Sequence, residues 1–525
     1  MKNRNFRYEI AIPAMVIVLG VTVALLGFPK QSQGVVDALF GFMTGDLKFL
    51  YLLFGLFGVI FLIWISFSKY GNIRFGGPDA KKEFKNISWA AMIFCSGMGI
   101  GICYWAFVEP VAYFAGPPFG IEPFSAMAGE YSITYALFHW GFTPWGLYGL
   151  PTIAVAYAIH NKKMNSLSMS TASAGLLGKH AYGPWGKIID ICVVIALFGG
   201  LGTSLALGVP LVTTFLAEVF HMQVTLGFQI AVVIGWTLIF TGTVWAGLEK
   251  GISKLADLNT YLGLALLAFI FLVGPISFVL DYFINGLGLL FTNFVRMSLW
   301  TDPIGKTGFV EAWTVFYWAW WTAAIPLMAL FTARISKGRT IKQVALGMLG
   351  IGAAGCFAFF AVWGGYSMHL QMTGKLDVYA IYSEFGGPQA AVEIIKTLPA
   401  APVILILFAL LSMIFLSTTV NTGAYTIAST VTKHLKGDEQ PGRVNRTIWG
   451  LMYGVYATSL FMTAQDSGSL SSIQLSSILT ALPIVVISLL VCFSGMKWLK
   501  EDYGDLLIKP EITIPNEKVK KVQEY

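Results

Sequence analysis

Charge is the scarcest commodity in this sequence. Only 12% of its 525 residues are Asp, Glu, Lys or Arg, against roughly 25% in soluble globular chains. With 56% hydrophobic residues and a mean hydropathy of +0.70, the composition excludes a soluble fold and predicts an all-α integral membrane protein. Acidic residues are nearly missing from the centres of the apolar runs; Glu109 and Asp190 stand towards run ends, and no titratable group marks a path through the bilayer. Five cysteines (Cys95, Cys103, Cys192, Cys356, Cys492) lack disulfide or zinc spacing and read as packing residues, with Cys95 open to a second role. Six scattered histidines, without paired acids or a Ser/His couple, give no basis for an intramembrane enzyme.

Long apolar runs are what the sequence does have. A bilayer-crossing helix needs about 20 such residues, and twelve runs qualify, centred near residues 19, 58, 100, 148, 204, 236, 270, 322, 354, 415, 454 and 488. The stretch Ile10–Phe28 exceeds a signal-peptide core and has no small-residue cleavage site after it, so it reads as the first retained helix. With both termini cytoplasmic, all but six of the 34 Lys+Arg residues fall on the cytoplasmic side; the exceptions are Lys30, Lys48, Arg296, Lys306, Lys375 and Lys396. That is the positive-inside bias of a cell inner (plasma) membrane protein. The net charge of +7 then reads as contact with inner-leaflet lipid and not as nucleic-acid binding.

Residues 1–87 hold two helices and a basic loop. Ten more helices divide into 88–280 and 308–499, separated by 281–307, where "DYFINGLGLLFTNFVRMSLW" (281–300) is amphipathic, too polar to span, and expected along the outer surface. Residues 500–525 form a polar tail. Two leading helices followed by five and five predict an inverted repeat with a midplane site between the halves.

Four segments carry chemistry. "CSGMGIGICYW" (95–105) alternates Gly97, Gly99 and Gly101, each costing about 1 kcal/mol of helix propensity. Either the glycines make a close-packing seam, or the helix unwinds and turns free carbonyls into a cavity, hard-oxygen ligands for an alkali cation. "FHWGFTPWGLYG" (138–149) projects Trp140, Trp145 and Tyr148 from a helix loosened by Gly141 and Pro144, either as packing aromatics or as a cavity wall; His139 reads as structural. "WTVFYWAWW" (313–321) places Trp313, Tyr317, Trp320 and Trp321 at i, i+4, i+7 and i+8, one helical stripe, with Trp318 pointing elsewhere. An interface belt does not explain rings at that depth. A box of electron-rich faces does, since a desolvated cation over a Trp ring gains about 2 kcal/mol and a quaternary ammonium has no N–H for an acceptor to hold. "FLSTTVNTGAYT" (415–426) is either hydroxyl glue between helices or, through Thr418 and Thr419 opposite the glycines, half of a sodium site. With no buried carboxylate, a substrate that brings its own negative charge, such as a betaine, suits the box. A closed box suits a bound intermediate better than a channel.

"GMGIG", "FHWGFTPW" and "WTVFYWAWW…ARISKGRT" resemble the betaine/choline/carnitine transporter (BCCT) family over nearly the whole chain. The resemblance implies twelve transmembrane helices with a five-plus-five inverted-repeat (LeuT-like) core, alternating access and a homotrimer. It assigns substrate binding to Trp140, Trp145, Tyr148 and Trp321, with Tyr113, Trp313, Tyr317 and Trp320 lining the site or its route. A sodium ion falls between the carbonyls of Cys95 and Met98 and residues Phe415, Thr418 and Thr419, and a second near Thr203, Ser204 and Phe316. Proton-coupled choline carriers of the family have an acid where this chain has Gly101, and sodium-independent carnitine/γ-butyrobetaine exchangers have an arginine near Asn259; both differences favour sodium symport. Met328, at a methionine position of those exchangers, favours exchange. The expected activity is import of a quaternary-ammonium zwitterion, with no cofactor beyond the coupling ion.

Overall fold

The computed structural model describes residues 6–246, 253–433, 435, 439–467 and 471–504. Among them every regular element is a helix, and β-pairing is confined to two isolated bridges, Phe6 with Thr432 and Arg74 with Thr340. In chain order the long helices are α1 (Tyr8–Gly27), α2 (Lys48–Phe67), α3 (Asn86–Met98), α4 (Gly101–Ala115), α5 (Ala126–Trp140), α6 (Phe142–His160), α7 (Pro184–Phe220), α8 (Leu226–Ala246), α9 (Ser253–Val273) and α10 (Ile276–Leu299). They continue with α11 (Phe316–Ile335), α12 (Ile341–Met372), α13 (Ala401–Thr430), α14 (Arg443–Ser467) and α15 (Ser471–Tyr503).

Among the described residues nine helices are long and apolar enough to cross a bilayer, or ten when α3 and α4 count as one span bent by 67°. The twelve centres expected from sequence all fall on long helices or, for residue 100, in that bend; α6, α9 and α14 fall short in length or hydropathy. One boundary moves. The segment read as too polar to span belongs to α10, which starts at Ile276, five residues before Asp281; with the added "ISFVL" the helix has 24 residues and a window of mean hydropathy 1.4, enough for a span by length and composition. Its position is nonetheless peripheral, with 17% of its apolar window buried.

At the other extreme stands the helix of the tryptophan stretch, 94% buried over its apolar window and packed on α6, α7 and α15. A π-turn, Val310–Val315, leads into it. α2 also packs on α6. The two approach at backbone distance, because a Cβ on Gly58 would stand 3.0 Å from the Gly146 carbonyl carbon. Large apolar side chains on α1, α8 and α10, such as Val16, Leu238 and Ile284, face outwards as a lipid-facing surface requires.

The two basic loops meet. Phe75 N donates to Arg339 O, Gly338 N to Phe75 O and Ile341 N to Ile73 O, each at 2.9 Å. Arg334 Nη1 donates to both carboxylate oxygens of Glu83, and Arg339 lies 4.1 Å above the Trp89 ring while donating to Asn86. A second clasp precedes α1. Arg7 Nη1 reaches Asp190 Oδ2 on α7 at 2.6 Å and the Thr430 carbonyl of α13 at 3.0 Å, and its backbone N–H donates to Val431 O. Asp190 is wholly buried and also receives the Ser170 hydroxyl.

Candidate functional site

The site is built on a break. α3 ends at Met98, Gly99 adopts φ +49° and ψ −154°, and α4 starts at Gly101. That backbone belongs essentially to glycine. Each of the three glycines makes room for a different neighbour. A Cβ on Gly97 would lie 2.8 Å from the Trp145 ring and 3.1 Å from Met328 Cε. On Gly99 it would lie 3.0 Å from Thr419 Oγ1, and on Gly101 it would lie 2.9 Å from Trp140 and 3.0 Å from Trp320. The helix does break at Gly99, and side chains of other helices seat on the three glycines as a close-packing seam would have them.

Around Gly101 the rings converge. Trp140 meets Trp321 at 4.9 Å edge to face, Tyr317 at 5.6 Å and Trp320 at 6.4 Å. Trp320 and Trp321 stack at 5.0 Å and 9°, and Tyr317 stacks on Trp321 at 5.7 Å. All four are buried. Each indole N–H is satisfied from outside the ring set, Trp320 by Gly200 O at 3.1 Å and Trp321 by His139 O at 3.0 Å, so the π-faces stay uncommitted to hydrogen bonding. Trp313 and Tyr113 extend the array, with centroids 4.8 Å apart and Trp313 stacked on Tyr317. Tyr148 touches Trp321 at 6.4 Å. Trp145 sits one ring further out, between Gly97 and Gly352, with Tyr148 at 5.8 Å and Phe94 at 6.4 Å. Trp318 turns away against α2, where Gly55 leaves space for its indole nitrogen.

The oxygen-rich face of α13 lies across the break. Thr418 and Thr419 donate their hydroxyl protons to Ile414 O (2.9 Å) and Phe415 O (3.0 Å) of their own helix. The hydroxyl lone pairs remain available, as a cation ligand requires. Asn259 is fully buried and its side chain meets the Cys95 thiol, while its neighbour Thr260 meets Cys95 Sγ at 3.3 Å. Hard oxygens at a main-chain break fit an alkali cation; the Met98 side chain lies outside the described side chains. Thr203 takes other partners, Gly199 O and Ser477 Oγ at 2.7 Å, while Ser204 bonds back to Gly200 O and Phe316 stacks on Trp320. Among the described residues no group of three or more His, Cys, Asp or Glu is arranged to hold a metal.

The reading that no carboxylate is buried near the rings is overturned. Glu109 is completely buried. Its Oε2 receives Trp140 Nε1 at 2.8 Å and Tyr317 Oη at 2.5 Å, and its Oε1 receives Tyr113 Oη at 2.7 Å. Tyr113 Oη also lies 2.7 Å from His139 Nδ1, whose Nε2 is 3.0 Å from Thr314 Oγ1. The sequence signal was the Glu109/Tyr113 spacing of i, i+4 on one helix face. Because α4 starts only at Gly101, Glu109 lies mid-helix and level with the rings instead of near a span end.

The sequence matches the family model for BCCT, betaine/carnitine/choline family transporters, over residues 9–504. It is 34% identical over 445 residues to the "Uncharacterized transporter YeaV" of Escherichia coli (strain K12), covering 85% of this chain and 92% of that one. It is 31% identical over 509 residues to a "Carnitine transporter" of Acinetobacter baumannii, covering 96% and 92%. Among solved structures, a substrate-bound, outward-open Na+-coupled sialic acid symporter matches with a TM-score of 0.43 and 12% identity, covering 86% of this chain and 87% of that one, too slight a likeness to argue from.

Proposed function

The chain belongs to the betaine/carnitine/choline transporter family, and on that premise we propose that it imports a quaternary-ammonium zwitterion by sodium-coupled alternating access. It is a multi-pass membrane transporter and not an enzyme. Carnitine is the first substrate to test, given the name of the Acinetobacter relative, and glycine betaine the second.

The observation that carries the reading is the mutual packing of Trp140, Tyr317, Trp320 and Trp321, of which Trp140 and Trp320 seat on Gly101. Four electron-rich rings, buried and with their N–H groups tied elsewhere, suit a head group that offers methyls and positive charge but no donor. In this arrangement the rings contact one another, so binding requires Trp140 to part from the Trp320–Trp321 stack. The mobile element in this reading is the α3–α4 bend, whose Gly101 seats both Trp140 and Trp320.

Sodium coupling is supported by Thr419 beside Gly99, by Thr418 next to it in the chain and by the short, uncharged, buried Asn259. The exchange alternative draws on Met328, whose methyl reaches Gly97. We extend the proposal to twelve spans in a five-plus-five inverted repeat, cytoplasmic termini, residence in the inner (plasma) membrane and a homotrimer. Uptake of labelled methylamines into proteoliposomes tests it. A sodium gradient drives a symporter into empty vesicles, whereas an exchanger needs substrate inside.

A further inference from the structure

The proposal above leaves Glu109 without a task. Its carboxylate has three donors, and among the described residues the one chargeable group within ion-pair distance is His139, with Nδ1 at 3.7 Å. Two of the donors, Trp140 and Tyr317, are themselves walls of the ring cluster, so the carboxylate stands immediately behind those walls.

The hydrogen-bond chain Glu109–Tyr113–His139–Thr314 has a property that follows from counting protons. Tyr113 owns one hydroxyl proton but has an acceptor on either side, Glu109 Oε1 and His139 Nδ1, both at 2.7 Å. If Tyr113 donates to an ionised Glu109, then His139 must carry its proton on Nδ1 and accept from Thr314 at Nε2. If Tyr113 donates to His139, then Glu109 must be protonated and donate to Tyr113, and His139 carries its proton on Nε2 and donates to Thr314. The same heavy atoms at the same distances serve both states. They differ by one proton, gained or lost by inverting the chain.

We infer that Glu109 is the counter-charge of the substrate's ammonium head, and that this four-residue chain releases one proton to solvent when the cation binds and takes one up when it leaves. The inference rests on the carrier reading above. It also fixes the substrate's orientation, with the ammonium towards Trp140 and Tyr317 and the substrate's own carboxylate away from Glu109. The sign follows: a cation in the box favours the ionised acid, so acidification opposes binding.

The other groups around α4 leave this chain as the responsive one. Tyr382, on the helix Val378–Phe385, is near enough to feel the carboxylate. From α12, Tyr366 bonds Thr397 and His369 packs on Phe278. Lys396 of the helix Gly387–Lys396 pairs with Glu218 of α7 and with Glu393, both at 3.1 Å. Asp190 of α7 is held by Arg7.

The test is calorimetric titration of the purified full chain with L-carnitine and, separately, glycine betaine, in two buffers of different ionisation enthalpy. Release of about one proton per ligand is expected, with Kd rising about tenfold per pH unit on the acid side. Glu109→Gln is expected to bind more weakly and to lose both the buffer dependence and the pH slope. Equal heats in both buffers with a pH-independent Kd, on the wild-type protein, overturns the inference and leaves the carrier reading standing. So does a Glu109→Gln protein that keeps the wild-type slope. Failure of the wild-type protein to bind any methylated amine would instead sink the carrier reading, and this inference with it.

Discussion

Gly99→Ala is the sharpest perturbation the structure offers. At φ +49° and ψ −154° an alanine is held in backbone territory that only glycine occupies freely, at a cost of about 1–3 kcal/mol. The new methyl would also stand 3.0 Å from Thr419 Oγ1, a hydroxyl fixed by its own bond to Phe415 O. Strain alone should therefore reduce the broken-helix conformation roughly 5- to 150-fold relative to a continuous helix. The assay is the initial rate of carnitine or betaine uptake into proteoliposomes at matched protein density, alongside the melting temperature of the solubilised protein. Gly235→Ala serves as control: the position is helical, nothing lies within 4 Å of an added Cβ, and the change should be neutral or mildly stabilising. Gly99→Ala should lose at least about fivefold in rate. If it transports like wild type with unchanged KM, the claim that the break is needed is refuted.

Other outcomes follow from other contacts. Trp321→Leu removes a cation–π face of about 2 kcal/mol, roughly thirtyfold in affinity, and should abolish saturable uptake while the protein stays in the membrane; unchanged affinity would dismiss the ring box. Thr418→Ala with Thr419→Ala should raise the sodium needed for half-maximal uptake, and transport that is equally fast without sodium would replace symport by exchange. Arg7→Ala leaves Asp190 buried without its cation, a loss of about 3 kcal/mol. Asp190→Asn in the same chain should restore most of the lost melting temperature, and an Arg7→Ala protein that melts like wild type would show the clasp to be idle.

What could be read from the chain, and what could not, divides at the helix breaks. Periodicity within one helix worked: Trp313, Tyr317, Trp320 and Trp321 share a stripe, and Trp318 departs from it against α2. Across a break it loses its footing. Gly141, where a Cβ would stand 2.4 Å from Leu137 O, ends α5 and re-aims the chain, so Trp140 joins the central rings while Trp145 seats a ring further out. The bend at Gly99 likewise moves Glu109 from an apparent span end to the depth of the box. The helix α10 begins an apolar turn ahead of Asp281, the charge at which the sequence reading started it. The Arg7–Asp190 clasp joins residues 183 apart in sequence, and no local pattern foretells it.

The three glycines of one short segment seat, in order, Trp145, Thr419, and the pair Trp140 and Trp320. Two binding chemistries, aromatic and oxygen-rich, therefore lean on a single strip of main chain without having to touch each other. If that strip slides, neither lodger keeps its place. On the proposed reading, an occupant on one side would therefore be felt on the other through the shared floor.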